Sequence, residues 1–296
     1  NGTEIVPMNQ QTVWSYNLAL NEGSNQISLT SKNGAGLIST AATGTIVLDT
    51  KAPVTTASPE GGTYGSTQNV ALSANKQATI YYTTGGTPPT DTSSIYSGPI
   101  PIAATATLKY FAKDLAGNIE EVNTQIYTID KAGPSGAIAI SGGLTRTNNR
   151  GVTLNLSATD AAGVTQMRFS NDGTNWSEPE AYGGSKSWTL SAGDGAKTIY
   201  VKFKDSVGNW SNVYTATVMV ETREPVTTAS PAGGTYGSAQ TVTLSADEPA
   251  TIYYTTDGAL PTDMSSIYSG PIPIAATITL KYFAKDLAGN IEAVKS

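Results

Sequence analysis

The chain has 296 residues, no cysteine, no histidine and a formal net charge of −6. Without those two residue types there is no disulfide, no thiol nucleophile, no Cys/His zinc site, no CxxCH haem attachment and no Ser-His or Cys-His catalytic pair. The acidic balance leaves no basic stripe for phosphates, which argues against nucleic acid as a partner, and no apolar run reaches the roughly 18 residues of a membrane span.

In chain order, residues 1–50 carry TVWSYNLAL, NQISLTSKNGAG and TGTIVLDT but nothing like opening strands. They read as a partial unit whose first strands are missing, with Ile27, Leu29 and Ser31 on the inward face. Residues 51–131 form a full unit. Val70, Leu72 and Ala74, then Ile80 and Tyr82, mark inner faces by their alternation. The hairpin KYFAKDLAGNIE (109–120) puts Leu108, Tyr110 and Ala112 on one face and Lys109, Phe111 and Lys113 on the other. Residues 132–222 are a diverged unit that keeps the order VTLNLSATD, MRFSNDG, TIYVKFKDSVGNWS. Its inward set is Leu154, Leu156 and Ala158, then Met167 and Phe169, then Ile199, Val201 and Phe203. Residues 223–296 repeat the second unit: 224–296 aligns with 52–124 without a gap, about four positions in five are identical, and the final strand is missing.

No segment has a helical period. Units of 80–90 residues with about seven short strands predict an all-β chain of tandem immunoglobulin-like antiparallel sandwiches. The linkers LDTKAP (48–53), IDKAGP (129–134) and VETREP (220–225) each bear proline, which limits bending. The expectation is an elongated, semi-rigid array longer than roughly 100 Å, from strands rising about 3.3 Å per residue.

ATIYYTTDGALPTDMSSIYSGPIPI (250–274), followed by TLKYFAKDLAGN, resembles the Ig-like module at the C-terminus of chitobiase/β-hexosaminidase-type proteins. Such modules are also strung in tandem in large bacterial surface proteins. The first unit and the linkers are similar to bacterial Ig-like repeats of adhesins, whose junctions read D-T-x-A-P and whose hairpins read D-x-A-G-N. The resemblance implies a bacterial extracellular or cell-surface location and a non-catalytic spacer role in a stalk, fibre or surface layer. It implies other domains of the same long chain, or neighbouring surface proteins, as partners. A carbohydrate-binding accessory module of a polysaccharide-active protein is the alternative. The incomplete end units suggest an excerpt of a longer protein or, less simply, strand donation between chains.

The hairpin Asp has two readings. As a turn residue it accepts backbone N–H groups while Gly and Asn supply positive φ. As a ligand it belongs to a calcium site at the domain junctions, because the last hairpin, the loop after the second strand and the linker share one end of the sandwich. The third unit then offers Asp130, Asp160 and Asp205. The fourth offers Glu221 and Glu224, Asp247 and Glu248, and Asp286. The second offers Asp49 and Asp114, with Lys76 nearby. The first has Asn33 where the Asp would stand. This ranks the junction near 130 first, then 222, then 50. Apart from calcium no cofactor is expected.

An outer aromatic face is a candidate ligand surface. Tyr81 and Phe111 recur as Tyr253 and Phe283, aligned with Arg168 and Lys202 of the third unit. Cross-strand pairing alone also accounts for them. Trp176 and Tyr182 form a further candidate pair. No paired carboxylates organise a catalytic cleft, since Asp91 and Asp263 have no acidic neighbour in sequence. GGTYGS lacks the Lys-Ser/Thr and the helix of a phosphate loop. The chain is read as no enzyme.

Overall fold

A computed structural model describes residues 17–296 and divides the chain into two compact bodies, one ending at Ile129 and the other beginning at Asp130. There is no helix among the described residues. The strand expected over TVWSYNLAL begins outside the described residues, and residues 17–22 are not in strand.

The first body opens with an antiparallel ribbon, Gly23–Leu29 against Ala42–Leu48. No residue of 17–48 is buried. Of the inward set expected here only Ile27 is half-buried: Leu29 is 44% exposed and Ser31 is exposed, since among the described residues no second sheet faces them. The second module follows as two facing sheets. One has Thr55–Ser58, Gln68–Ala74 and Ile100–Ile102; the other runs Gly62–Tyr64, Asn123–Ile129, Ala106–Asp114, Ala78–Thr83, Ser94–Ile95. All pairings are antiparallel except Gly62–Tyr64 with Asn123–Ile129. Val70 and Leu72 from one sheet meet Ile80, Leu108, Tyr110 and Ala112 from the other in one core. This is the inner set that period-two alternation marks, because successive side chains of a strand leave opposite faces.

The second body holds the third and fourth modules. The third repeats the plan with Ser135–Ile140, Gly151–Thr159 and Ser185–Thr189 facing Arg146–Thr147, Tyr214–Val220, Gly195–Asp205, Val164–Ser170 and Glu180–Ala181. Its core contains Leu154, Leu156, Met167, Phe169, Ile199, Val201 and Phe203. The fourth has two three-stranded sheets, Thr227–Ser230, Gln240–Ala246, Ile272–Ile274 and Ser266–Ile267, Ala250–Thr255, Lys281–Asp286.

The fourth module has a smaller core than the second, although their sequences are nearly the same. In the second, Tyr127 is fully buried, stacks on Tyr64 at 6.2 Å, and donates its hydroxyl to the Pro59 carbonyl at 2.7 Å. Burial pushes its pKa up to about 12. The fourth has no such strand among the described residues, and Tyr236, the counterpart of Tyr64, is 45% exposed. A groove of about 410 Å³ lined by Tyr236, Val242, Ile274, Leu280 and Tyr282 lies there instead.

Candidate functional site

The recurring hairpin is built by its aspartate. Asp205 Oδ1 accepts the backbone N–H groups of Val207, Gly208 and Asn209 at 3.0, 2.6 and 2.7 Å. Asp286 repeats this with Ala288, Gly289 and Asn290 at 2.8, 2.7 and 2.8 Å. Asp114 takes Ala116 and Asn118 at 3.0 and 2.8 Å. The glycine of each turn has φ near +100° (95°, 104° and 95° for Gly117, Gly208 and Gly289), where a Cβ would be strained. In the first ribbon Asn33 Oδ1 accepts Ala35 and Leu37 N–H at 3.1 and 2.9 Å. The turn therefore needs an oxygen acceptor, and a charge is not required.

The asparagine that closes the turn does something else. Its backbone is not at positive φ, contrary to the expectation that it, like the glycine, reverses the chain that way. Its side chain bridges instead. Asn118 Nδ2 donates to Asp114 Oδ2 and to the carbonyl of Asp49, both at 2.9 Å. Asn209 donates to Asp205 Oδ2 at 2.7 Å and to the Asp130 carbonyl at 2.9 Å. Asn290 donates to Asp286 Oδ2 at 2.8 Å and to the Glu221 carbonyl at 2.9 Å. Each module grips the linker that leads into it with its own last hairpin, in one geometry three times. In the third module the linker packs so closely that a Cβ on Gly133 would collide with backbone atoms of Trp210 and Ser211.

Two carboxylates beside the hairpin, Glu120 half-buried and Glu292 buried, were not singled out from the sequence. Glu120 accepts the N–H of Thr55 at 2.6 Å and of Ala112 at 3.0 Å. Glu292, 5% exposed, accepts Thr227 at 2.9 Å and Ala284 at 3.0 Å. Each ties the first strand of its module to the hairpin. The signal was present as the Glu that follows D-L-A-G-N-I in both copies. In the third module Ser211 Oγ accepts the Phe203 N–H at 2.9 Å.

The linker, the second-strand loop and the hairpin also bring carboxylates together. Asp130, Asp160 and Asp205 each offer an oxygen within 4.8 Å of the others. Glu221, Glu248 and Asp286 do the same. Glu248 takes the place expected for Asp247, which turns away to accept the Val226 N–H at 2.7 Å and to pair with Arg223 at 2.7 Å. Glu224 is exposed and outside the cluster. Glu248 Oε1 is shut from solvent with no hydrogen-bond donor; Arg223 approaches it at 3.7 Å. Burial, then the Glu248 and Asp286 carboxylates, raise the pKa of Glu221. Burial pushes Asp286 upward too, but its hydrogen bonds from Asn290, Gly289 and Ala288 outweigh this and leave it low.

The second module differs at one position. Lys76 stands where Asp160 and Glu248 stand in the others. Its ammonium donates to Asp49 Oδ1 and Oδ2 at 2.8 and 2.9 Å, to Asp114 Oδ2 at 2.9 Å, and to the Lys51 carbonyl. The site thus holds a cation made by the chain itself. Hydrogen bonds to Asp49 and Asp114 raise the Lys76 pKa. The Asn118 side chain, then Lys76, hold Asp114 well below the usual carboxylate range.

The aromatic pairs stack, Tyr81 on Phe111 and Tyr253 on Phe283, each at 5.2 Å. Phe111 and Phe283 are 6% and 5% exposed, so only the tyrosines of the four present surface. Tyr182 faces inward: its hydroxyl accepts the Ala158 N–H at 2.8 Å and its ring meets Phe203 edge-on at 5.8 Å. Trp176 lies on the outer sheet face beside Arg168.

Residues 59–124 and 231–296 each match the family model described as Chitobiase/beta-hexosaminidase C-terminal domain. No curated protein matches the chain. Among solved structures, the fibronectin(III)-like modules of Clostridium thermocellum CbhA align at 17% identity over 57% of this chain and 94% of theirs, with a TM-score of 0.32. A tetra-tandem repeat in the extending region of a large adhesion protein aligns at 14% identity over 91% and 79%, TM-score 0.30. The three N-terminal domains of the bacteriophage RB49 Highly Immunogenic Outer Capsid protein align at 11% identity over 79% and 90%, TM-score 0.39. Both matches fall within the second and fourth modules and together cover less than half of the chain.

Proposed function

We propose that the chain is a non-catalytic structural segment of a bacterial extracellular or cell-surface protein, a spacer in an adhesin-like stalk, a fibre or a surface layer. The observation that carries this reading is the linker pin. Three modules out of three spend the tip of the last hairpin on holding their own linker through Asn118, Asn209 and Asn290. Recognition modules commonly keep such loop tips free for a ligand. Asp91 and Asp263 lie on exposed loops and belong to neither acidic cluster. The neutral stacks at Tyr81 and Tyr253 do not favour the carbohydrate-binding alternative, because half of each stack is covered.

The clusters Asp130–Asp160–Asp205 and Glu221–Glu248–Asp286 support a calcium ion as a second fastener. Each gathers three carboxylates from three chain segments. Such a set repels itself unless a hard, oxygen-seeking cation neutralises it. The residues present fit: Glu248 Oε1 lacks a donor, and Lys76 supplies a positive charge at the equivalent point of the second module. Bound Ca²⁺ would supply charge neutralisation and a tie between linker, loop and hairpin. Calorimetric titration of Ca²⁺ into the metal-free chain, with melting in Ca²⁺ and in EDTA, tests this. Two binding events and a higher melting point in Ca²⁺ are expected, with one event lost in Asp160→Asn. Identical melts and no heat would overturn the calcium fastener and leave the pin.

A further inference from the structure

The third module departs from its neighbours on the outer face of its five-stranded sheet. Arg168 stands directly opposite Lys202 in the strand register. Lys204 is next along on the same face. The second and fourth modules hold the neutral stacks Tyr81–Phe111 and Tyr253–Phe283 at the Arg168–Lys202 positions. Like charges directly opposite one another weaken a sheet. None of the three cations forms an ion pair among the described residues.

Two indoles hold them instead. The guanidinium of Arg168 lies 4.3 Å from the ring centre of Trp210 and 5.0 Å from that of Trp176. Lys202 sits 5.3 Å over Trp176, and Lys204 sits 5.6 Å over Trp210. Cation–π contact positions these charges without neutralising them. Arg168 Nε is sealed from solvent and has no hydrogen-bond partner. The sealed Nε is closed to an external ligand, whereas the two Nη groups have no protein partner among the described residues and form the open edge of the guanidinium. That geometry matches a carboxylate taken in bidentate fashion.

We propose that this face binds an acidic polysaccharide, a uronate polymer. Its carboxylates meet Arg168, Lys202 and Lys204, which the indoles of Trp176 and Trp210 hold in place. Local charge complementarity favours this occupant: three cations without an ion pair among the described residues share one face of a chain that is otherwise acidic. Three cations are too few for nucleic acid, whose binding rests on many more phosphate contacts. The proposal is independent of the spacer reading, since a module can both extend a chain and touch a matrix.

The test is affinity electrophoresis of the full chain in gels containing polygalacturonate, or the same polymer fully methyl-esterified. EDTA is present, because Ca²⁺ cross-links polyuronate and would also fill the acidic clusters. Retardation is expected only in the carboxylate form, weakening as salt rises. The double substitution Lys202→Glu with Lys204→Glu should abolish it and leave the melting point of the chain nearly unchanged. Lys109→Glu with Lys281→Glu, on the neutral sheets, should retain it. No retardation of the unaltered chain would overturn the proposal and reduce the patch to a stabilising ladder. Equal retardation in the esterified gel, or retention by the Lys202/Lys204 double variant, would overturn it as well.

Discussion

The second and fourth modules spell the hairpin KYFAKDLAGNIE identically, yet its aspartate meets opposite surroundings in the two. Asp114 faces the ammonium of Lys76; Asp286 faces the carboxylates of Glu221 and Glu248. The linker pin is the same in both, Asn to carbonyl at 2.9 Å. A fold can thus keep its mechanical contact constant and still change the charge of the site beside it with one loop residue. The hairpin motif specifies the grip, and the residue at position 76 or 248 sets the charge beside it.

Features shared by the two modules should respond alike. Glu120→Ala and Glu292→Ala each strand two backbone N–H groups in the interior, which costs about 1–3 kcal/mol per group. We expect each to destabilise its module by about 3 kcal/mol in denaturant unfolding. A large effect in one module and none in the other would break the equivalence. Gly133→Ala probes the third module in the same way. Its collision is with backbone rather than a flexible side chain, so the linker must move and the Asn209 pin should open, read as faster exchange of the Asn209 side-chain amide.

The feature that differs should be exchangeable. Lys76→Glu is expected to lower the melting point of the second module in EDTA and to make it recover in Ca²⁺. Saturation at a hundredfold excess over Kd is worth about 2.7 kcal/mol. Glu248→Lys should remove the calcium response of the fourth module and leave that of the third. If Lys76→Glu acquired no calcium response, the carboxylate cluster would not be sufficient for binding.

Protonation sharpens the contrast further. The Lys76 pKa is raised above 10.5, so its contribution is complete below that value and fades only as pH rises through the raised one. The Asp114 pKa is lowered below 3.8, so its contribution is complete above that value and fades as pH falls through the lowered one. The second module's junction should therefore hold across the whole interval from 3.8 to 10.5, followed by amide exchange in its linker. The smallest effect is expected from Asn118→Ala, Asn209→Ala or Asn290→Ala. Each removes two side-chain hydrogen bonds, one to the linker carbonyl and one to the hairpin aspartate, of about 1 kcal/mol each, and the three should agree within a few tenths.

Much of this architecture follows from local rules. Alternation along a strand is a property of the pleat, so Leu108, Tyr110 and Ala112 could be assigned inward from their spacing alone, as could Ile199, Val201 and Phe203. The turn over D-L-A-G-N is local as well. So was the meeting of Asp130, Asp160 and Asp205, because sandwich topology dictates which loops share an end. Other features depend on through-space distances that spacing does not encode. Glu248 rather than Asp247 enters the cluster because adjacent residues point apart, and Val226 and Arg223 claim Asp247. Lys76 reaches two carboxylates and a carbonyl because its four-carbon stem spans the gap between loop and linker. Phe111 is buried although it faces outward, since Tyr81 lies across it. Arg168 lies against two indoles contributed by Trp176 and Trp210, one from the loop after its strand and one from beyond the hairpin. Sequence by itself determined the strands, their faces, the turns and which segments share an end of the module. Only the tertiary structure decided which side chains at that end touch, because contact depends on side-chain reach and direction, and these are settled when the loops pack.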